Sequence, residues 1–306
     1  MLLKLSLVVL TCLRAEIPTD VTIPLIRSSD DKWCIRGTIE FPLQRSHVCA
    51  PIKSSECGGF DVYDLFRLQV PGTSHGPLPL DVSDMTRIGE SDFELQGVCL
   101  GFQSTLAHRL NSVIYQNQDE VGTQVILNAV DPFQYAIAGE IVYANLTSPL
   151  ARYGSTLVAS DGIDTNAYHF TNVSIVLNDE SPSTISDSTH ARLVEIIASN
   201  GGALLHSSVA GSILRADNCY DRFISLLPNI HYMIANDVDG TMVIVADLVF
   251  TPEDYMERTP SGSLCRIRLH RNISGHYLRL TDHLLRKIGG IHFDYANGRI
   301  GFFDPL

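Results

Sequence analysis

The closing segment of the chain, residues 278–303, places the strongest constraint on its fold. It reads LRLTDHLLRKIGGIHFDYANGRIGFF. Apolar runs of strand length lie on both sides of a short segment with helical spacing. The segment therefore predicts a strand, a short helix, a strand, a turn and a final strand.

The composition extends this β-rich pattern over the whole chain. The chain has 306 residues, of which 45% are hydrophobic and 18% are charged, as in a folded globular protein. Valine, isoleucine, threonine and tyrosine recur in short runs between turn residues, which is typical of a mostly β protein. The formal net charge of -12 argues against nucleic acid as a partner, because an acidic surface repels phosphates.

The N-terminus reads MLLKLSLVVLTCLRAEIPTD, with one lysine before an apolar core. This pattern predicts a signal peptide over residues 1–15 and an exported mature chain, the alternative being a buried N-terminal strand. No other stretch approaches the roughly 18 apolar residues of a membrane span, so no stable membrane span is expected.

Cysteine usage agrees with export. Without the signal peptide, six cysteines remain, and an even number in an exported chain favours disulfides. Cys49 and Cys57 flank a short loop, and Cys219 and Cys265 both lie in the last third, so these two pairs are predicted. Cys34 and Cys99 are left as a third pair or as two free thiols.

Three N-glycosylation motifs occur, at Asn145, Asn172 and Asn272. Asn172 precedes a predicted buried strand. Surface glycans are therefore predicted at Asn145 and Asn272.

Helical and loop segments separate the predicted strands. Residues 105–118 have helical periodicity, whereas residues 43–60 are predicted as a cysteine-bearing loop and residues 147–166 as a polar connection. Residues 188–202 predict a helix with Ser188 or Thr189 as its N-cap and Gly201 after its end.

The second half of the chain resembles the C-terminal lobe of the pepsin-like aspartic proteases. LPNIHYMI at 227–234 and LVFTPEDYM at 248–256 are similar to two strands of that lobe, and Cys219 and Cys265 fall where its disulfide lies. Residues 278–303 resemble the ending of these proteins, although Thr281 stands where the family has glycine.

The first half resembles the family more weakly, through RGTIEF, CAPIKSSEC, QGVCLGF and AGEIVYANL. The resemblance implies a mostly β, bilobal pepsin-like fold with a shortened N-terminal lobe over 16–150 and a C-terminal lobe over 151–306.

Catalysis in this family needs two facing carboxylates that share one proton. Each carboxylate comes from a turn of the pattern apolar-apolar-Asp-Thr/Ser-Gly. In the second half, the matching stretch SIVLNDESPST leaves Asn178 and Asp179 as alternatives for the catalytic position. An amide at Asn178 cannot share a proton, and Asp179 is followed by Glu180 and not by the glycine that the tight turn needs. This degenerate site is therefore predicted to be inactive.

The first half shows a larger departure. Only PLQRSHV separates RGTIEF from Cys49, which predicts that the strand and turn of the first motif are deleted, either in the protein or through a gap in the gene model. The flap-like segment has Pro71 before Gly72 and Thr73, where the family has tyrosine. Asp164-Thr165-Asn166 is close to an Asp-Thr-Gly turn, but no apolar strand is predicted before it.

The sequence thus predicts a secreted pepsin-like homologue without catalysis that binds a peptide or protein in the interlobe cleft. The alternative is an atypical aspartic endopeptidase that uses Asp179 with a second carboxylate. A third hypothesis is a structural glycoprotein with a closed cleft. No cofactor or metal is implied, and a monomer is expected.

Overall fold

The computed structural model describes most of the chain. The described residues are 19–29, 32–41, 44–54, 67–70, 78–81, 84–87, 93–102, 104, 107, 110–118, 122–147, 156–163, 169–178, 181–206, 212–259, 264–272 and 277–304. Described residues up to 147 are called the N-terminal half below, and those from 156 onward the C-terminal half.

The N-terminal half consists of strands and one short 3-10 helix at Pro132–Tyr135. The strands are β1 (Val21–Pro24), β2 (Ile26–Arg27), β3 (Trp33–Phe41), β4 (Gln44–Lys53), β5 (Arg67–Val70), β6 (Leu78–Asp81), β7 (Asp84–Arg87), β8 (Phe93–Cys99), β9 (Ser112–Gln118), β10 (Gly122–Leu127) and β11 (Ile141–Asn145).

The C-terminal half adds thirteen further strands and four helices within its described ranges. The strands are β12 (Thr156–Gly162), β13 (Thr171–Val176), β14 (Ser183–Ile185), β15 (Ala203–His206), β16 (Ser212–Arg215), β17 (Ile230–Val238), β18 (Thr241–Phe250), β19 (Met256–Arg258), β20 (Cys265–Ile267), β21 (Leu269–Arg271), β22 (Tyr277–Thr281), β23 (Gly290–Asp294) and β24 (Arg299–Phe303). The helices are α1 (Asp187–Ser199), α2 (Cys219–Phe223), α3 (Pro252–Tyr255) and α4 (Asp282–Leu285).

The predicted mostly β class is confirmed, and one sheet joins the two halves. This six-stranded sheet has the order β1-β10-β9-β23-β24-β11, so the closing hairpin of the chain lies between strands of the N-terminal half. The predicted order of strand, short helix, strand, turn and strand in the closing segment is confirmed as β22, α4, β23 and β24.

Each half also has a sheet of its own. In the N-terminal half, the strands follow the order β6-β5-β3-β4-β8-β7, with β2 paired to β3. In the C-terminal half, a five-stranded sheet has the order β18-β17-β12-β13-β22. Both sheets end at the junction of the halves, where β4 and β13 terminate.

The hydrophobic core is continuous across both halves. One cluster of buried residues includes Ile35 and Val98 from the N-terminal half together with Leu157 and Phe250 from the C-terminal half. This shared burial stabilises the contact between the halves, because removal of apolar surface from water is the main favourable term in folding.

Three segments differ from the sequence-based predictions. The predicted helix over 105–118 is wrong over its second part, which is β9. The predicted loop over 43–60 is wrong over Gln44–Lys53, which is β4 and pairs with β3 from Gln44 to Pro51. The polar connection over 147–166 contains β12.

The predicted helix near residue 188 is confirmed as α1. Its N-cap is Ser186, two or three positions before the predicted Ser188 or Thr189, and the Ser186 hydroxyl accepts the N–H of Thr189. Leu193 and Ile197 are its buried apolar residues, and Gly201 follows its end with a φ of 75°.

The disulfide predictions are confirmed in one case and corrected in another. Cys219 is bonded to Cys265, as predicted. Cys49 is bonded to Cys34 and not to Cys57, because β3 and β4 pair in a register that places Cys34 and Cys49 on adjacent strands, with 5.4 Å between their Cα atoms. Cys99 is disulfide-bonded as well, to a cysteine other than Cys34.

No helix in the described part of the chain is long and apolar enough to cross a membrane.

Candidate functional site

Two strand ends meet at the junction of the halves, and each is built in the same way. β4 ends at Lys53 and runs parallel to β8, with Lys53 opposite Cys99. β13 ends at Val176 and runs parallel to β22, with Val176 opposite Thr281. Lys53 and Val176 therefore occupy equivalent positions in the two halves.

A glycine allows the close pairing beside Lys53. Gly97 in β8 has a φ of 137°, a conformation that L side chains rarely adopt, and an added Cβ would collide with the carbonyl oxygen of Pro51 in β4. The backbone N–H of Leu100, just after β8, donates to the carbonyl of Lys53 at 2.7 Å. The end of β4 is thus held firmly against β8.

Ser54 joins the two strand ends directly. Its hydroxyl donates to the carbonyl of Ile175 at 2.8 Å and accepts the backbone N–H of Leu177, also at 2.8 Å. Ser54 is completely buried, so both hydrogen bonds are shielded from water. One hydroxyl therefore fixes the distance between the turn after Lys53 and the turn after Val176.

Asn178 forms a second set of hydrogen bonds, in which a side chain of the C-terminal half binds the backbone of the N-terminal half. Its Oδ1 accepts the N–H of Trp33 at 2.7 Å, and its Nδ2 donates to the carbonyls of Trp33 and Ile52, each at 3.0 Å. Its backbone has a φ of 57°, which asparagine tolerates better than most residues. A carboxamide suits this position because it carries both donors and acceptors.

A buried carboxylate lies beneath the Asn178 turn. Asp282 is 1% exposed and accepts the backbone N–H of Asn178. It also accepts the hydroxyl of Tyr115 at 3.4 Å and the Nε of Arg286 at 3.4 Å. Burial raises the pKa of Asp282, whereas Arg286 and Arg27 act to lower it. Burial and the nearby Asp282 raise the pKa of Tyr115.

Hydroxyl groups complete the C-terminal turn. The Oγ1 of Thr281 donates to the carbonyl of Ser181 at 2.6 Å and lies 3.1 Å from the Oγ of Ser183. The Oγ of Ser183 also accepts the backbone N–H of Thr281 at 3.0 Å. Thr281, which replaces the glycine of the pepsin-like pattern, is therefore part of the network that shapes this turn.

The pattern apolar-apolar-Asp-Thr/Ser-Gly can be compared with both strand ends. If its carboxylate position is aligned with the last residue of each strand, Lys53 and Val176 fall at that position, Ser54 falls at the hydroxyl position and Asn178 falls at the glycine position. Among the described residues, neither strand end carries a carboxylate.

The structure corrects the predicted deletion of the first strand, because β4 runs to Lys53 and Ser54 reaches the other half. The catalytic position considered for Asn178 stays a prediction; Asn178 lies two residues beyond the end of β13, and its side chain binds backbone. The other predicted site residues, Asp179 and the flap-like 71–73, lie outside the described residues, as do 164–166.

Sequence reasoning missed Lys53 and Ser54. The aspartic protease pattern has a carboxylate at this position, and Lys53 carries the opposite charge. A pattern of an apolar residue, then any residue, then a small hydroxyl residue would identify Ile52, Lys53 and Ser54.

Asp161 anchors the start of α1. It was predicted to lie in a loop, but it is 6% exposed within β12. Its Oδ2 accepts the backbone N–H of Ser186 at 2.8 Å and the hydroxyl of Ser186 at 3.1 Å. Burial raises the pKa of Asp161. An apolar strand therefore does precede Asp164, contrary to the prediction.

The predicted glycosylation sites differ in exposure. Asn145 is exposed at the end of β11, where its backbone N–H donates to Asn236 Oδ1 at 2.7 Å. Asn272 is half-buried and follows β21. Asn172 is exposed in β13, and its Oδ1 accepts the hydroxyl of Thr147 at 3.3 Å. Glycans at Asn145 and Asn272 stay a prediction.

No group of three or more His, Cys, Asp or Glu in the described ranges is arranged to hold a metal ion.

Comparison with solved structures identifies the fold. The chain matches the crystal structure of Basic 7S globulin from soybean with a TM-score of 0.59 and 10% sequence identity, over 94% of this chain and 97% of that chain. That protein has a fold related to the pepsin-like aspartic proteases. No family model and no curated protein matches the chain. At this identity, the likeness shows a shared fold.

Proposed function

We propose that this chain is a secreted, bilobal pepsin-like protein that lacks peptidase activity and binds an extended peptide or protein segment between its lobes. The observation that supports the proposal is the pair of strand ends at the junction, where the described residues Lys53 and Val176 supply no carboxylate.

The loss of activity follows from acid–base chemistry. The aspartic mechanism needs one carboxylate to accept a proton from water while the other donates one to the substrate. An ammonium at Lys53 has no acceptor, and Val176 has no proton to exchange. The two positions therefore cannot activate a water between them.

The endopeptidase alternative needs a second carboxylate within hydrogen-bond reach of the same water as Asp179. Lys53 and Val176 do not supply one. Because the described residues at the ends of β4 and β13 supply no carboxylate, inactivity is the better supported of the two functions.

Several features support the remaining parts of the proposal. The lobes would span 16–150 and 151–306, after a signal peptide over 1–15. Disulfides such as Cys34–Cys49 and Cys219–Cys265 are typical of oxidising compartments. An extended segment in the cleft would pair with exposed strand edges through backbone hydrogen bonds, and the flap-like role of 71–73 stays a prediction.

The first experiment tests for cleavage. The mature chain, produced with its disulfides intact, is incubated with a mixed peptide library between about pH 3 and 5, and products are read by mass spectrometry. We expect no products from the wild type. Cleavage that disappears in Asp179→Ala but persists in the matched control Asp217→Ala would establish the endopeptidase alternative.

The second experiment tests for binding. The same library is passed over immobilised wild-type protein, and retained peptides are identified after washing. We expect retention of extended peptides with dissociation constants on the order of micromolar. If no peptide is retained by a folded sample, the binding function is wrong and the structural glycoprotein with a closed cleft becomes the better interpretation.

A further inference from the structure

A cavity of about 460 Å³ lies on the surface of the C-terminal half, away from the strand ends that support the proposed function. It is lined by the turn between α1 and β15 at 201–203, by residues 215–217 at the end of β16, by Arg222 of α2 and by Leu264. Cavities of roughly 300–1,000 Å³ hold small-molecule ligands. The size of this cavity therefore suits a ligand of low molecular weight.

Covalent and close contacts fix the walls of this cavity. The disulfide between Cys219 and Cys265 joins α2 to β20, directly beside Leu264. An added Cβ at Gly202 would lie 2.7 Å from the ring of Phe223, so the turn after α1 packs closely on α2. The segments that line the cavity are therefore held at a defined spacing.

Arg222 is oriented by contacts that leave most of its donors unused. Its Nη2 donates to the carbonyl of Asn200 at 2.7 Å, and its guanidinium carbon lies 5.4 Å from the ring centroid of Phe223. Gly201 leaves room for this side chain, because an added Cβ there would lie 3.2 Å from Nη2. Within the described ranges this is the one hydrogen bond of the Arg222 side chain, so its other N–H groups can bind a ligand.

Neither arginine of the cavity pairs with an acid in the part of the chain that the structure describes. Arg215 and Arg222 are both exposed and have no ion pair there, whereas the nearby Arg258 pairs with Asp221. Asp217 also lines the cavity and is exposed, without an ion pair to either arginine. The described lining thus has two cations and one anion, in a chain with a formal net charge of -12.

These groups favour a ligand that combines an oxyanion with neutral hydroxyl groups. Guanidinium groups bind phosphate, sulfate or carboxylate through paired, charge-assisted N–H···O bonds. The carboxylate of Asp217 only accepts hydrogen bonds, so it suits ligand hydroxyls and repels a second anion. A ligand ammonium is disfavoured, because two guanidinium groups outnumber the one carboxylate.

We propose that this cavity binds a small saccharide that carries a phosphate, sulfate or carboxylate group. Arg215 and Arg222 bind the oxyanion, and Asp217 accepts hydrogen bonds from the sugar hydroxyls. The inference does not rest on the proposed peptide binding, since the cavity shares no residue with the ends of β4 and β13.

The experiment measures binding of five probes to the full mature chain by isothermal titration calorimetry at neutral pH. Three are charged sugars: glucose esterified at its primary hydroxyl with phosphate, the matching sulfate ester, and glucuronate. Unmodified glucose and inorganic phosphate are the controls. We expect at least one charged sugar to bind with a dissociation constant below about 1 mM, glucose not to bind, and inorganic phosphate to bind more weakly than glucose phosphate. The tightest charged sugar identifies the oxyanion.

Variants assign this binding to the cavity. Arg215→Met and Arg222→Met should each weaken binding of the tightest sugar at least about tenfold. Arg192→Met removes an exposed arginine outside the cavity and should leave the affinity unchanged. Asp217→Ala should narrow the advantage of glucose phosphate over inorganic phosphate, because it removes both the acceptor for hydroxyls and a repelling charge. Thermal unfolding of each variant shows that it is folded.

Three outcomes would overturn the inference. The first is the absence of saturable binding of all three charged sugars to the folded wild type. The second is an affinity that survives both Arg215→Met and Arg222→Met, or that Arg192→Met lowers equally, since binding would then lie outside the cavity. The third is equal binding of inorganic phosphate and glucose phosphate, which would show that the sugar is not recognised.

Discussion

Asn178→Ala should destabilise the protein more than any other single asparagine substitution with the same backbone strain. The carboxamide of Asn178 makes three hydrogen bonds to the backbone of the N-terminal half, to Trp33 twice and to Ile52 once. Its backbone is left-handed, with a φ of 57°. Alanine removes the three bonds and keeps the unfavourable conformation.

The expected magnitude follows from these two effects. Each lost hydrogen bond to partly buried backbone costs about 1 kcal/mol, and a non-glycine side chain without local polar contacts costs about 1 kcal/mol more at positive φ. Asn178→Ala should therefore reduce the free energy of unfolding by about 4 kcal/mol, a large part of the roughly 5–15 kcal/mol that stabilises a folded domain.

Asn218→Ala is the matched control. Asn218 has a φ of 50°, is exposed and makes no capping bond through its side chain, so this variant measures the backbone strain alone. In urea unfolding with m-values held in common, we expect Asn178→Ala to lose about 3 kcal/mol more than Asn218→Ala. Equal losses in the two variants would show that the carboxamide does not hold the halves together.

Three further predictions concern hydrogen bonding, pH and covalent links. Ser54→Ala should lower the free energy of unfolding by about 2 kcal/mol in the same urea assay, whereas Ser54→Thr, which keeps the hydroxyl, should lose less. Burial lowers the pKa of His292 to about 4, so its neutral form is favoured in the fold and stability should fall as the pH drops from about 6.5 to 4. His292→Gln should reduce this loss of stability by up to about 3 kcal/mol, whereas substitution of the exposed His169 by glutamine should leave the loss unchanged. An unchanged pH profile of stability for His292→Gln would contradict the prediction. Joint replacement of Cys219 and Cys265 by serine opens a link between residues 46 apart and should cost about 4 kcal/mol by thermal or urea unfolding, with no loss if the pair is not bonded.

The closing segment was predictable because its signals are local and agree with its environment. β23 and β24 form a hairpin over Gly290–Asp294 and Arg299–Phe303, and every residue of β23 is buried. The local sequence alone therefore predicts the two strands, the turn between them and the preceding short helix α4. Cys219 and Cys265 were similarly paired from their place in the chain.

The error over 105–118 has a physical cause. β9 lies in the middle of the six-stranded sheet, between β10 and β23. Val113 and Tyr115 pack in the main core on one face, and Ile114 packs in a second cluster on the other face. A strand buried on both faces loses the alternation of apolar and polar residues, so its periodicity does not distinguish it from a helix.

The loop predicted around Asp161 failed for a related reason. Ser160, Asp161 and Gly162 have the composition of a turn, but they end a strand whose polar side chain has a partner elsewhere in the chain. Asp161 reaches Ser186, the N-cap of α1, which is 25 residues away. A single sequence does not reveal such a partner, because only the folded chain brings the two residues together.

The described contacts that join the two halves at the candidate site do not depend on a carboxylate at either strand end. The junction is held by Ser54, which binds Ile175 and Leu177, and by Asn178, which binds Trp33 and Ile52. None of these bonds uses a carboxylate at the ends of β4 and β13. A substitution at either strand end therefore changes what the site can do to a ligand without removing the contacts that join the halves, whereas loss of Ser54 or Asn178 would act on stability first.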